Sequence, residues 1–448
     1  MISSTTGGSP IANRGPGSTS PEALAERIAN ELSSAWSRGD RRRAEGFLAD
    51  YPEIRDRPEA AARVIYEEYC LREGIGQAPD HAELMGRFPE WRDQLRILLD
   101  CHDLIRPRAP LPCPFQAGDL LGEYRIHSRL GQGRRGSVLL ATQQTLADRP
   151  VVLKLTRRLT GGHEHLALAR LPHPHIVPLY TVHDFPDQDL RALCMPYLGG
   201  ATLDRVLDSL EGVHPADRTG AALIDHLDHA RTELTVSRDW SDTRQELNAL
   251  SYAGIIAGFG AKLAEALHFA HTRGLLHLDM KPSNILITDD GRPMLLDFHL
   301  AQGPLTSGSA WPERIGGTFG YMAPEHEAAM DAVLQGRTLP YAVDARADIY
   351  ALGVTLYDAL TGTPPPSAGV SASDLLKANP RAGTALAMVV VNCLARDPES
   401  RYPNAAALAT DLRRLPSRGI PGRWSKLRHS AVSRLFRSRD SYSRSPVL

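Results

Sequence analysis

His277, Asp279, Lys281 and Asn284 fall within eight residues of the stretch LLHLDMKPSNILIT (275–288). Asp297 follows thirteen residues after Asn284, at the end of PMLLDF. Apolar runs flank the polar set, GLL before it and ILI after it, which suggests a loop held rigidly from both ends. Side chains of these types suit transfer of a phosphoryl group to a hydroxyl. A carboxylate orients the hydroxyl and takes its proton. A cation absorbs charge on the moving group. A divalent ion such as Mg2+ needs few protein oxygens, because it keeps several waters. Asp279 fits the base, Lys281 the cation, and Asn284 with Asp297 the metal ligands.

A second set lies upstream. YRIHSRLGQGRRGSVLLATQ (124–143) carries Gly131, Gly133 and Gly136, with Val138 two residues later. A dinucleotide-binding glycine loop opens a helix and has an acidic residue about 20 positions on. Here SVLLATQQ reads as a strand, and no acid stands at that place. A hairpin tipped with glycines can instead lie close over phosphates, since no side chain blocks its backbone. PVVLK then delivers Lys154 at the end of the next strand, where it can neutralise them. Such a lysine needs an acidic partner, and Glu164 is the only carboxylate between Lys154 and Asp184.

Nine ordered stretches resemble the eukaryotic-type Ser/Thr protein kinase family of the bacterial kind. They are the glycine loop (131–138), VVLK, Glu164, LCMPYLGGATL (193–203), HLDMKPSN (277–284), DFH (297–299), GTFGYMAPE (317–325), DARADIYALG (344–353) and CLARDPESRY (393–402). The resemblance covers about 120–415 and implies an α+β bilobal kinase fold, with a β-rich N-lobe to about 198 and an α-helical C-lobe beyond. It implies ATP and Mg2+ between the lobes, with Mn2+ as an alternative ion. Leu130, Gly131, Gly133 and Gly136 would cover the nucleotide, Val138 and Val152 would roof the base, and Leu286 would floor it. Met195 would guard the adenine pocket, and the backbone from Pro196 to Leu198 would meet the adenine edge. Lys154 would pair with Glu164. Thr318 would bridge Asp279 and Lys281, Glu325 would pair with Arg401, and Asp348 would anchor the catalytic loop. Leu168, Leu179, His277 and Phe298 would stack as a spine. A lysine two residues past the catalytic aspartate implies Ser/Thr hydroxyls of proteins as substrates, the chain's own serines among them.

The chain departs from the family pattern at several places. Leu278 stands where most relatives carry an arginine that receives a phosphorylated activation loop; its absence implies activity without that phosphorylation. His299 stands for a glycine and limits backbone freedom after Asp297. Pro196 removes a hinge N–H, and Val152 narrows the adenine roof relative to alanine. These changes sustain an alternative, a scaffold that keeps the fold but little catalysis.

The elements that must position these residues sit in a chain of 448 residues, 42% hydrophobic and 23% charged, as for a soluble globular protein. No apolar run is long enough to span a membrane, and the N-terminus lacks a secretory pattern. The five cysteines are scattered and form no C-x-x-C pair, which points to buried thiols and a cytoplasmic location. Residues 1–19 read as disordered and 106–119 as a proline-dense linker. Between them, 20–105 reads as a small all-helical domain. Two of its stretches echo each other, YPEIRDR (51–57) and FPEWRDQ (88–94), either as a degenerate repeat with a protein-binding surface or as two similar helix entries. Residues 205–250 read as an insertion in the kinase-like region, either docking a protein partner or elaborating the solvent-exposed surface. The 416–448 tail is basic and Ser-rich: 417–448 hold eight Lys/Arg against the single Asp440, so that the net charge of −1 leaves −8 for the rest. No specific nucleic-acid binding is expected.

Overall fold

The computed structural model describes residues 21–77, 79–105, 113–133, 136–157, 164–234, 241–309, 311–312, 314–366 and 369–415. The expectations placed on 1–19, on the 106–112 part of the linker and on the 416–448 tail lie outside these residues. The chain divides into two compact units, one of residues 1–99 with 332–338 and one of 100–331 with 339–448.

The first unit is helical. Its elements are α1 (Pro21–Ser37), α2 (Ala44–Asp50), α3 (Pro52–Arg55), α4 (Pro58–Gly74) and α5 (His81–Arg87), and α6 (Arg92–Ile105) begins within it. Prolines at the first helical position start α3 and α4, where the missing N–H costs nothing. The echoing stretches take the same course. Tyr51 and Phe88 leave their helices with φ/ψ of −124/71 and −125/60, and each N–H bonds back to the carbonyl four residues earlier. Ile54 and Trp91 then turn inward and are buried.

A charge lies at the centre of this unit. Glu68, with 0% exposure, accepts Arg87 Nη1 on Oε1 at 2.7 Å and Nη2 on Oε2 at 3.0 Å. Its Oε2 also accepts the Ala44 N–H at 2.7 Å, serving the start of α2, whose own cap residue Arg43 makes no side-chain capping bond. Glu68→Gln removes the fully buried charge of a network in which Arg87 retains only the outer carboxylates of Glu45 and Glu83. The expected loss of stability is about 3 kcal/mol, read by urea denaturation of the full chain with hydrogen exchange at the α2 amides. Unchanged protection there would show that the network contributes nothing net.

The second unit has an α+β, two-lobed architecture. Its first lobe is an antiparallel sheet of β1 (Leu120–Leu121), β2 (Tyr124–Gly133), β3 (Gly136–Gln143), β4 (Arg149–Arg157), β5 (Thr181–Phe185) and β6 (Leu190–Pro196), in the order β1-β2-β3-β4-β6-β5. One helix, α7 (Glu164–Ala169), accompanies it. Alternation along the strands sorts the two faces. Leu139, Ala141, Val151, Leu153, Leu155, Ala192 and Cys194 form the apolar core. Val138 pairs with Lys154, and Val152 with Met195, so these four share the opposite face. Residues 113–119, expected as linker, fold back instead: Cys113 and Phe115 pack on the sheet core, and the Gly118 N–H bonds to the Ile126 carbonyl. An aromatic residue in a proline-rich segment gains more by burial than by remaining in a spacer.

The second lobe contains α8 (Leu203–Ser209), α9 (Gly220–His229), α10 (Ser241–Ala249), α11 (Tyr252–His271), α12 (Pro324–Leu334), α13 (Ala345–Thr361), α14 (Ala372–Ala378), α15 (Thr384–Cys393) and α16 (Ala405–Arg414). A short sheet, β7 (Ala201–Thr202), β8 (Ile285–Ile287) and β9 (Pro293–Leu295), lies beneath the link between the lobes. The described parts of the 205–250 stretch pack into the lobe. Leu223 and Leu227, four apart on α9, are buried in the lobe core with Leu247 and Leu250. Among the described residues no cysteine is in a disulfide. Among the described residues no helix is long and apolar enough to cross a membrane.

Candidate active site

The sheet presents Lys154 to the cleft between the lobes. Its Nζ donates to Glu164 Oε1 at 2.9 Å and Oε2 at 2.7 Å, and to Asp297 Oδ1 at 2.7 Å. Burial works against the ammonium, but the charges of Asp297 and then Glu164 outweigh it, and its pKa lies above the usual lysine value. Lys154 and Asp297, 143 residues apart, thus meet in one ion-paired cluster.

Above this cluster the β2–β3 hairpin pairs Gly131 with Val138 and Gly133 with Gly136. Gly136 has φ +155, and a Cβ there would fall 1.7 Å from the Leu155 carbonyl oxygen, so only glycine lets β3 run this close to β4. The Leu130 carbonyl accepts Arg205 Nη2 from α8 at 2.7 Å, which ties the root of the loop to the second lobe. The link between the lobes runs through Met195, Pro196, Tyr197 and Leu198. Gly200 (φ +83) then brings the chain against the Ile287 carbonyl, where a Cβ would sit at 2.0 Å. Leu286, half-buried on β8, follows from the pairing of β7 with β8.

The catalytic-type loop is held from below by a buried carboxylate. Asp348 accepts the backbone N–H of His277 at 2.7 Å and of Leu278 at 2.8 Å, and binds His271 Nε2 at 2.8 Å. Burial pushes its pKa up, but the bond from His271 and the charges and N–H groups around it prevail, and the group stays below the usual carboxylate range. These bonds hold Leu278 at φ +61, a conformation costing a non-glycine residue about 1–2 kcal/mol. His277 donates from Nε2 to the Leu296 carbonyl at 3.0 Å and accepts the Asp279 N–H on Nδ1 at 3.2 Å, which fixes one neutral tautomer. Its ring lies edge-on to Phe298 at 4.7 Å, with Leu168 and Leu179 in the same apolar cluster as Phe298.

Asp279, only 6% exposed, receives Thr318 Oγ1 on Oδ1 at 2.7 Å and Asn284 Nδ2 on Oδ2 at 2.9 Å. Lys281 Nζ stands 3.1 Å from Asp279 Oδ2 and donates to Thr318 Oγ1 at 2.7 Å. Asn284 spends its amide hydrogens on the Asp279 carboxylate and carbonyl, so its oxygen is the atom left for a ligand. Asp297, at φ +57, lies beside it through the bond from the Leu296 N–H to the Asn284 carbonyl at 2.9 Å. One carboxylate and one amide oxygen fit an Mg2+ ion that keeps its remaining waters. Farther out, Glu325 and Arg401 form a buried two-pronged pair at 2.7 and 2.8 Å.

The structure brings Lys154, Glu164 and Asp297 into one bonded cluster and Asp279, Lys281, Asn284 and Thr318 into another. Three contacts were not foreseen. His299 Nδ1 stands 2.5 Å from Asp297 Oδ1, although the glycine substitution was read only as a loss of backbone freedom. Gln302 clamps the Arg314 backbone, giving to its carbonyl at 2.5 Å and taking from its N–H at 3.2 Å, while Arg314 Nη1 reaches the His299 carbonyl at 2.8 Å. Arg231 and Arg244 converge on Asp289. No spacing rule links residues so far apart; the signal present was the TDDG turn after β8, with more carboxylates than a turn needs.

Residues 238–412 match the family model described as "protein kinase domain". A probable serine/threonine-protein kinase of Clostridium acetobutylicum is 26% identical over 313 residues, covering 65% of this chain and 40% of that protein. The DNA damage-responsive serine/threonine-protein kinase RqkA of Deinococcus radiodurans is 29% identical over 318 residues, covering 66% and 40%. The chain thus spans about two fifths of the length of these curated relatives. The crystal structure of the Mycobacterium tuberculosis PknI kinase domain is 22% identical, with a TM-score of 0.43, over 67% of this chain and 98% of that one.

Proposed function

This chain carries a kinase domain of the eukaryotic-type Ser/Thr family, and from that premise we propose that it transfers the γ-phosphoryl of ATP to Ser/Thr hydroxyls of proteins. The observation that carries the reading is the single hydrogen-bonded set in which Asp279, Thr318, Lys281 and Asn284 meet beside the Lys154–Asp297 pair. Asp279 orients the substrate hydroxyl and takes its proton as the oxygen bonds to the γ-phosphorus. The bond from that phosphorus to the β-phosphate oxygen breaks, and ADP leaves. Lys281 balances charge on the transferring group, and Thr318 holds the Asp279–Lys281 spacing. Lys154 grips the phosphates, and the glycine loop covers them. A bound Mg2+, held by Asn284 and Asp297, supplies charge neutralisation. Labelled ATP, Mg2+ and the purified chain beside an Asp279→Asn variant test the reading. Signal in both points to a contaminant; signal in neither, with ATP still bound, returns the scaffold reading. One contact favours that second reading: the His299 ring occupies the Asp297 oxygen that also meets Lys154.

The segment from Asp297 to Glu325 is held by bonds that need no phosphate. The Gln302–Arg314 clamp is one, and the paired backbone bonds between Leu305 and Val343, at 2.9 and 3.0 Å, are another. Leu278, 4% exposed, offers an apolar side chain where a phosphate receptor would need charge. Phosphatase treatment is therefore expected to leave the rate within about twofold. A phosphosite map of the active preparation should place phosphate on the serines of the basic tail. A rate that collapses with dephosphorylation of Thr306, Ser307 or Ser309, or a tail free of phosphate, overturns this account.

A further inference from the structure

Arg231, just after α9, and Arg244 on α10 reach the nucleotide side of the cleft through charge. Asp289, 3% exposed, lies in the turn two residues beyond β8. Arg231 gives Nε to its Oδ1 at 2.8 Å and Nη2 to its Oδ2 at 3.0 Å. Arg244 gives Nη2 to Oδ1 at 2.9 Å, and Nε and Nη2 to the Asp289 carbonyl at 3.1 and 2.9 Å. Asp228 on α9 balances both guanidiniums. The Asp289 N–H points the other way, to the Leu198 carbonyl at 3.4 Å, and the Tyr197 hydroxyl meets Thr232 Oγ1 at 3.0 Å. Leu198 and the turn after the strand bearing Leu286 thus meet at Asp289, which the two arginines hold, and Tyr197 is held by Thr232 next to Arg231. A surface pair would contribute little, but this carboxylate is buried and receives three charge-assisted bonds, two of them in a fork from Arg231.

We propose that Asp289, gripped by Arg231 and Arg244, is a positioning residue for the nucleotide pocket, and that α9 with Arg231, and α10 with Arg244, form a brace that sets ATP affinity. The inference rests on the reading of the cleft as an ATP site. With the brace intact, the hinge carbonyls and the Leu286 floor are preorganised before nucleotide enters, so binding need not order them. With it cut, Leu198 and the β8 turn relax, and binding must restore them. Phosphoryl transfer, set by Asp279 and Lys281 on the other side of β8, is unaffected once ATP is bound.

The test uses the full chain, with ADP and Mg2+ in isothermal titration and steady-state kinetics in parallel. Asp289→Asn keeps the size and removes the charge. Its expected effect is about a tenfold rise in the Kd for ADP and in the KM for ATP, with kcat at saturating ATP and the KM for protein substrate within about twofold. Arg231 is 41% exposed, so Arg231→Gln carries the test should Asp289→Asn fail to fold, with about a threefold rise expected. A folded variant with wild-type ADP affinity, or one whose loss falls on kcat alone, overturns the inference and leaves the kinase reading standing. A wild-type chain that binds no ADP overturns the nucleotide reading and this inference with it.

Discussion

Asp279→Asn is expected to lower the phosphoryl-transfer rate by about 10³-fold or more while leaving ATP bound. The carboxylate sits where two hydrogen-bond donors and one ammonium converge, from Thr318, Asn284 and Lys281. An amide in its place keeps the size and still accepts from Thr318. It cannot take a proton, and its NH2 group faces the NH2 group of Asn284, so one of the two must turn. The loss therefore falls on kcat, through proton acceptance and hydroxyl orientation, and only weakly on nucleotide affinity. Single-turnover kinetics with saturating ATP separate the two. A variant that transfers phosphate at the wild-type rate would remove Asp279 from the mechanism and with it the assignment of the loop.

Lys154→Met should cost about 10²- to 10³-fold in kcat/KM for ATP, the scale of losing one preorganised charge on a reacting group. Two carboxylates lose their cation at once, since Glu164 and Asp297 share the same Nζ. The nucleotide phosphates then meet uncompensated negative charge. Glu164→Gln is a milder change, because Lys154 keeps Asp297, and about tenfold is expected from the looser lysine. The ratio of the two effects checks the geometry: equal losses would show that Glu164, and not the lysine, carries the charge balance. The pH behaviour follows in sign. The folded pKa of Lys154 is raised above the ordinary lysine value of about 10.4, so its contribution to stability is complete below that pH and is lost only as pH climbs through the higher folded value. Activity at neutral pH does not titrate through this group.

Much of the site was legible because its chemistry is written in contiguous residues. HLDMKPSN carries the proposed base, cation and amide ligand within one loop, and DF follows after a short hairpin. Strand period did the same for Val138, Val152 and Lys154, whose facing is set by alternation alone. Helix entries were legible for a similar reason: Pro21, Pro52 and Pro58 mark first turns by their missing N–H.

What remained hidden depends on which distant groups become neighbours. The polar composition of 205–250 suggested solvent or a partner, but Leu223, Leu227 and Leu247 had a core to enter, and Arg231 and Arg244 had Asp289 to grip. Phe115 likewise joined the sheet core in place of extending a linker. His299 shows the same limit at the centre of the site. Its identity predicted a stiffer backbone, and only the fold set its ring against Asp297.

By itself, then, the order of residues determined the reaction class this chain can be asked to perform, since donors, acceptors and glycines a few positions apart constrain chemistry whatever surrounds them. Only the tertiary structure decided that the lysine, glutamate and aspartate close into one cluster, and that Arg231 and Arg244 converge on Asp289. Those outcomes turn on burial and charge pairing between segments up to 143 residues apart, where no local periodicity reaches.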